Sequence, residues 1–143
     1  MNPISQQLLI WGTVLFLLSL LIGAAVPVFI NPRMGTAAHV AGLQSGMTLW
    51  VLGLMWHRLV LPAGAQRATQ VLAVGGLYAI FASLALAALW GTSRATPIAG
   101  AGHQASLARE SAVTVLLAGG SLASVIAVAM VLWGLCASNG GRM

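Results

Sequence analysis

Apart from six arginines, this 143-residue sequence offers three histidines, one glutamate, one cysteine and one tyrosine for proton transfer, nucleophilic attack or metal binding. A single carboxylate, Glu110, excludes two-acid mechanisms within one chain. A single thiol, Cys136, excludes an internal disulfide framework and a C-x-x-C-H haem attachment, and it reads as a small apolar residue near a helix end. No metal cage, phosphate loop or hydrolase triad can be assembled. What remains is His39, within "TAAHVAGLQSG" at 36–46, together with the hydroxyls of Ser45 and Tyr78 in apolar surroundings. One imidazole and a few hydroxyls suit a bound cofactor that acts on an apolar substrate.

The spacing around His39 is specific. At about 100° per residue, Gly35, Gly42, Gly46 and Gly53 fall within about 60° of it on one helix face. Such a stripe either admits another helix backbone at close range or leaves space for something flat. His39 is accordingly either a packing residue hydrogen-bonded to a neighbouring helix or a ligand or catalytic group, because ionisable residues inside a membrane are costly and mostly functional. Ser45 lies about 9 Å deeper on the flank of the stripe. Tyr78, on the next helix, reaches a similar depth, so the two can line one cavity; helix back-bonding by the serine and packing by the tyrosine are the alternatives.

The elements that must position these groups follow from composition. The chain is 59% hydrophobic and 5% charged, with a mean hydropathy of +0.98. A soluble domain could not present that surface to water. The net charge of +5 stands as single arginines between apolar runs, which fits headgroup anchoring rather than nucleic-acid binding. Four runs, 8–30, 36–58, 69–92 and 111–135, are long enough to cross about 30 Å of hydrocarbon as helices. The first lacks a basic leader and is expected to be retained as a span. An all-α, four-helix transmembrane bundle in a single membrane domain over 1–143 is the fold expected.

Both termini and the 57–67 turn then share one side of the membrane, and the loops at 31–33 and 93–110 share the other. Arg58, Arg67 and Arg142 face the first side and Arg33, Arg94 and Arg109 the second, so charge does not choose an orientation; cytoplasmic termini are the working assignment. Trp11, Trp56 and Trp133 fall near the first side and Trp90 near the second, as an interfacial belt requires, while Trp50 is deeper and reads as packing. The tail "ASNGGRM" reads as flexible.

The other polar residues carry less. His57, about 27 Å from His39 along the same helix, cannot share a metal with it and reads as an interfacial anchor. His103 lies in a loop on the side that His39 faces, where it is either solvated or part of a lid. Glu110 in the first turn of the fourth helix complements the dipole. Gln44 and Thr48 form an i, i+4 polar pair on another face and can join helices or protomers.

The segments "NPRMGTAAHVAGLQSG" (31–46), "YAIFASLALAALWG" (78–91) and "PIAGAGHQ" (97–104) resemble the hydroxylaminobenzene mutases and, more distantly, the styrene oxide isomerases. These are small four-helix membrane isomerases. The resemblance implies a redox-neutral rearrangement of a small aromatic substrate, either an aryl hydroxylamine to an aminophenol or an aryl epoxide to an aldehyde. It further implies a noncovalent haem b whose iron is ligated axially by His39 and acts as a Lewis acid, with Gly42 and Gly46 as the face against which the macrocycle lies. Ser45 and Tyr78 would position the substrate and His103 would belong to the lid. A homo-oligomer follows, a trimer with the haem near the subunit boundary, in an inner (plasma) membrane.

This sequence departs from the family pattern at three places. Ser45 replaces an asparagine six residues after the histidine, Ala41 replaces an acid found in many mutases, and Tyr78-Ala79-Ile80-Phe81 stands where the pattern has Tyr-Ala-Asn-Trp. A hydroxyl thus replaces the side-chain amide that would orient the leaving oxygen. Two readings of other classes remain at this stage: a noncatalytic haem protein for electron transfer or sensing, which calls for two axial ligands, and a haem-free subunit in which Gly42 and Gly46 only pack helices.

Overall fold

The computed structural model describes residues 2–140, with side chains through Ala137. The last three residues of the tail, Arg142 among them, lie outside the described residues. Four α-helices make up the described chain: α1 (Pro3–Ala25), α2 (Pro32–Met55), α3 (Ala63–Trp90) and α4 (Leu107–Gly140). Short 3-10 turns, Val26–Val28 and Trp56–Arg58, follow α1 and α2.

Each helix starts four to six residues before the apolar run that announced it; at α1 and α2 a capping asparagine and a proline precede the hydrophobic stretch. Asn2 and Asn31 cap α1 and α2, each followed by proline in the first turn. The side-chain oxygen of Asn31 accepts from the Met34 N–H at 3.2 Å. Proline there costs nothing, since its missing N–H would have had no partner in the helix. At the far end, Gly91 stops α3 with φ 64, a left-handed conformation that favours glycine. Starting α2 at Pro32 puts His39 in its third turn, roughly 12 Å below the Asn31 cap, deeper than the apolar run at 36–58 implies.

The helices pack as two antiparallel hairpins. Along the α1–α2 seam small residues meet backbone: a Cβ on Gly53 would lie 3.0 Å from the Ser5 carbonyl oxygen, and one on Gly46 would lie 2.9 Å from that of Gly12. Helices come this close in a membrane where small side chains let their backbones approach. The α3–α4 seam is built the same way at Gly76 and Gly120, where a Cβ on either would lie 2.8 Å from the other's carbonyl oxygen. α2 joins the hairpins by packing on α3, and among the described residues the backbone of α4 stays more than 8 Å, Cα to Cα, from those of α1 and α2.

Three segments, Pro3–Val28, Ala63–Trp90 and Leu107–Ala137, are long and apolar enough to cross a membrane. α2 has the length, at 24 residues, but its histidine, glutamine, serine, threonines and glycines lower its hydropathy. It is the helix flanked by α1 on one side and α3 on the other. Ser45 and the glycines Gly35, Gly42, Gly46 and Gly53 are thereby buried, whereas Thr36, Gln44 and Thr48 stay exposed in the protomer.

The tryptophans divide differently from a simple belt. Trp11 and Trp133 are exposed, but Trp56 is only 2% exposed and belongs to the apolar core with Leu8, Leu52, Leu59 and Leu61. The turn after α2 folds it inward. Trp50 packs, as its depth suggested: it stacks on Phe16 at 4.9 Å and donates its indole N–H to the Thr13 hydroxyl at 3.0 Å.

Candidate functional site

The Asn31-Pro32-Arg33-Met34 turn is tied to the α3–α4 loop. Asn31, 1% exposed, donates its side-chain amide to the Ala99 carbonyl at 3.0 Å and its backbone N–H to the Ala88 carbonyl at 3.0 Å. One residue thereby caps α2, holds the end of α3 and fastens the loop. His103 adds a further tie, with Nε2 donating to the Ile30 carbonyl at 3.1 Å, while its Nδ1 is buried without a partner. The loop thus sits as a cap on the entrance to α2.

The loop is held from behind by Glu110. Its carboxylate accepts the backbone N–H of Ser93 at 3.0 Å and of Arg94 at 2.9 Å. The acid does stand in the first turn of α4, but it is turned toward the end of α3 and away from solvent. Dipole complementarity is therefore not its main work; anchoring the loop is.

Below that cap, His39 is half-buried in α2 and faces α1. Its Nδ1 lies 2.7 Å from the carbonyl oxygen of Ser19. A carbonyl can only accept, so Nδ1 carries the proton. The lone pair of the neutral ring is then on Nε2, which has no partner among the described residues. Metal-bound histidines are commonly held this way, with the second nitrogen donating to a carbonyl. Nε2 of His39 is therefore the nitrogen that would hold a haem iron, if this chain binds one.

The glycine stripe does something else. A Cβ on Gly42 would lie 2.6 Å from the Phe81 ring and 2.8 Å from the Ser19 Cβ. Together with the Gly46 contact on Gly12, this gives the stripe to α1 and Phe81. No open glycine face is left at Gly42 and Gly46 for a flat ring to lie on, and the expectation of a macrocycle there is corrected to close helix packing.

Ser45 is buried, and its hydroxyl forms no hydrogen bond among the described residues. Tyr78 donates its hydroxyl to the Trp11 carbonyl at 2.8 Å and meets the Trp11 ring edge-on at 5.9 Å. Since Gly46, next to Ser45, packs on Gly12 and Tyr78 binds Trp11, Ser45 and Tyr78 lie at similar depth. Their shared depth agrees with the sequence reading, although the tyrosine is also a tie between α3 and α1.

Residues 4–136 match the family model of styrene oxide isomerase. The chain belongs to the styrene oxide isomerase family. It is 42% identical over 134 residues to hydroxylaminobenzene mutase HabB of Ectopseudomonas oleovorans, covering 93% of this chain and 82% of that protein. Over 107 residues it is 46% identical to HabA of the same organism, covering 74% of this chain and 79% of that protein. No solved structure matches it. Membership in a family of isomerases makes the chain an isomerase.

Within this isomerase the remaining polar residues sit apart from His39. His57 is exposed near the membrane boundary, its Nδ1 3.0 Å from the Leu54 carbonyl. Thr48 bonds the backbone of Gln44 at 2.8 Å and not its side chain. Cys136 is exposed on α4. Among the described residues, no three histidine, cysteine or acidic side chains converge to hold a bare metal ion. A groove of about 440 Å³ between α3 and α4, lined by Gly75, Ala79, Ala112, Leu116 and Gly119, includes none of the expected site residues.

Sequence reasoning missed Ser19, Gly23 and Phe81. A Cβ on Gly23 would lie 2.5 Å from Nδ1 of His39, so α1 lines one edge of the imidazole. The signal was available in α1, where Ser5, Gly12 and Ser19 recur every seven residues.

Proposed function

We propose that this isomerase rearranges a small aryl hydroxylamine to an aminophenol in the bacterial inner membrane, with haem b ligated by Nε2 of His39. The carrying observation is the His39–Ser19 hydrogen bond, which leaves a ligand lone pair on the one imidazole set among the apolar helices. The relatives' names supply the reaction class: both are hydroxylaminobenzene mutases. When bound, the haem would supply Lewis-acid chemistry to a substrate oxygen or nitrogen.

The reaction is redox-neutral and atom-balanced. The N–O bond breaks, a ring carbon gains the hydroxyl, and that carbon's hydrogen leaves as a proton as another is taken up at nitrogen. The chain's own tasks are holding and orienting. His39 donates Nδ1–H to the Ser19 carbonyl and presents Nε2. Ser45 contributes a hydroxyl without a competing partner, able to donate to the departing oxygen. Tyr78 spends its proton on Trp11 and keeps an oxygen lone pair to accept from the substrate N–H. The apolar helices exclude water that would compete for the reacting carbon. His103 and its loop close the α2 entrance above them.

A second substrate class, an aryl epoxide converted to an aldehyde, is favoured by the family match itself. There a C–O bond breaks, hydride shifts to the benzylic carbon and a carbonyl forms. A homo-oligomer, with three subunits as the assembly proposed, would cover some of the apolar surface that a single protomer leaves exposed on α1 and α4.

The test is purification in detergent with haem supplied, followed by an absorption spectrum and incubation with phenylhydroxylamine and with styrene oxide. A Soret band lost in His39→Ala and kept in His57→Ala, with aminophenol as product, is expected. A wild-type protein that rearranges substrate without any Soret band would end the haem reading.

A further inference from the structure

We infer that Ser19 and Gly23 of α1 are positioning residues that select the protonation tautomer and ring orientation of His39. Between them the two residues surround one edge of the imidazole. The Ser19 carbonyl takes the Nδ1 proton at 2.7 Å. The Ser19 hydroxyl, in turn, donates to the His39 carbonyl. The pair is reciprocal: each residue offers its backbone oxygen to the other's side chain, which fixes α1 against α2 where the ring must sit. Ser19 is fully buried, so water does not compete for either bond.

Gly23, one turn further along α1, decides where the ring can be. A Cβ there would lie 2.5 Å from Nδ1, 2.7 Å from Cε1 and 3.0 Å from Cγ. Real contacts of this kind are essentially never shorter than 3 Å. The imidazole therefore rests directly on the glycine backbone, at a spacing that only a missing side chain permits. When that space is filled the imidazole, a side chain turning about two torsions, gives way before the helix backbone does. Turning it away from Gly23 also removes Nδ1 from the Ser19 carbonyl. An isolated neutral imidazole is free to carry its proton on either nitrogen; here one is fixed by a carbonyl and the other is left with the lone pair.

For the haem-bound isomerase this inference rests on the reading of His39 as the ligand, because a ligand nitrogen must be unprotonated. The orientation itself is a property of the chain alone. It predicts a state of His39 in protein free of cofactor, and it assigns α1, which holds no ligand, a direct effect on cofactor affinity.

The experiment uses full-length protein with ¹⁵N-labelled histidine in detergent or bilayers, without haem, with His39 assigned from His39→Ala. Long-range proton–nitrogen spectra distinguish a protonated Nδ1 from a protonated Nε2. Wild type is expected to show His39 in one state, Nδ1 protonated and hydrogen-bonded. Gly23→Ala is expected to abolish that state in favour of a mixture. Ser19→Ala removes the hydroxyl that bonds the His39 carbonyl but keeps the backbone carbonyl that accepts from Nδ1, so it is expected to stay folded and to retain the Nδ1-protonated state; if Gly23→Ala does not fold, the wild-type tautomer decides. Gly53→Ala, which crowds the same α1–α2 seam at its other end, is expected to lower stability and leave the His39 signals unchanged.

Haem titration then separates the two claims. Gly23→Ala should bind about 10 to 100 times more weakly than wild type, the range seen when a ligand's supporting hydrogen bond is lost. Wild-type His39 protonated on Nε2, or wild-type spectra retained in Gly23→Ala, would overturn the inference. So would unchanged haem affinity in a Gly23→Ala protein that has lost the tautomer. If wild type takes up no haem but shows the expected tautomer, the ligand reading fails and the positioning of His39 stands.

Discussion

The carboxylate of Glu110 accepts the backbone N–H of Arg94 at 2.9 Å, sixteen residues back along the chain. With the Ser93 N–H on the same group, the chain's single acid is committed to folding. Glu110→Ala would leave two loop donors without their charged partner, at a cost of about 1.5–3 kcal/mol. Thermal unfolding in detergent should show the loss. Glu110→Gln, which keeps one carbonyl oxygen as acceptor, should recover part of it. Rearrangement by folded protein should change little in either variant, since the carboxylate faces the loop.

Asn31 gives the same loop its front attachment. Asn31→Asp keeps the oxygen that caps α2 but sets a carboxylate oxygen against the Ala99 carbonyl in place of an N–H donor. Asn31→Ala loses the cap as well, worth about 1 kcal/mol. Both variants are expected to free the 93–106 loop, and limited trypsin digestion reads this directly because Arg94 lies in it. Wild type should resist cleavage at Arg94, and both variants should be cut there well before Arg67, which α3 holds in its second turn.

The hydroxyls of Ser45 and Tyr78 should separate in mutagenesis. Ser45→Ala removes a group with no structural partner, so stability should hold while kcat/KM falls about tenfold, equivalent to about 1.4 kcal/mol. Tyr78→Phe keeps the edge-on contact with Trp11 but loses the hydroxyl's hydrogen bond to the Trp11 carbonyl, so stability should fall by about 1 kcal/mol. Michaelis parameters measured beside unfolding midpoints make the comparison. Equal kinetic losses without any loss of stability would place both residues on the substrate.

How much of this was legible in the sequence varies by residue. The helix count followed from apolar runs. Their starts did not, because Asn-Pro at 31–32 is a capping signal that hydropathy averages away. His39 stood out because a lone histidine in a membrane helix is expensive. Its partners Ser19 and Gly23 did not, because small residues spaced for packing look alike whether they face a helix or a histidine. The same ambiguity misplaced Gly42 and Gly46: a glycine face is equally the mark of a bed for a flat ring and of a seam against a helix, and only Phe81 and α1 in place decide. Glu110 was located correctly in α4, but which way its carboxylate turns depends on where the loop returns in space.

The α3–α4 hairpin offers a test of that distinction among glycines. Gly76 and Gly120 meet backbone at 2.8 Å, whereas Gly75 and Gly119, their immediate neighbours, have nothing within 4 Å. A backbone atom cannot turn aside as a side chain can, so Gly76→Ala and Gly120→Ala must push the helices apart. Each should lower the unfolding midpoint and cost on the order of 1–3 kcal/mol. Gly75→Ala and Gly119→Ala instead gain helix propensity, up to about 1 kcal/mol, with no contact to lose in the protomer. Measured on the dissociated chain in harsh detergent, they should be neutral or stabilising. If the same two variants weaken the assembly in mild detergent, the groove they line is covered by a neighbouring subunit, because within one protomer there is nothing for the added methyl group to strike.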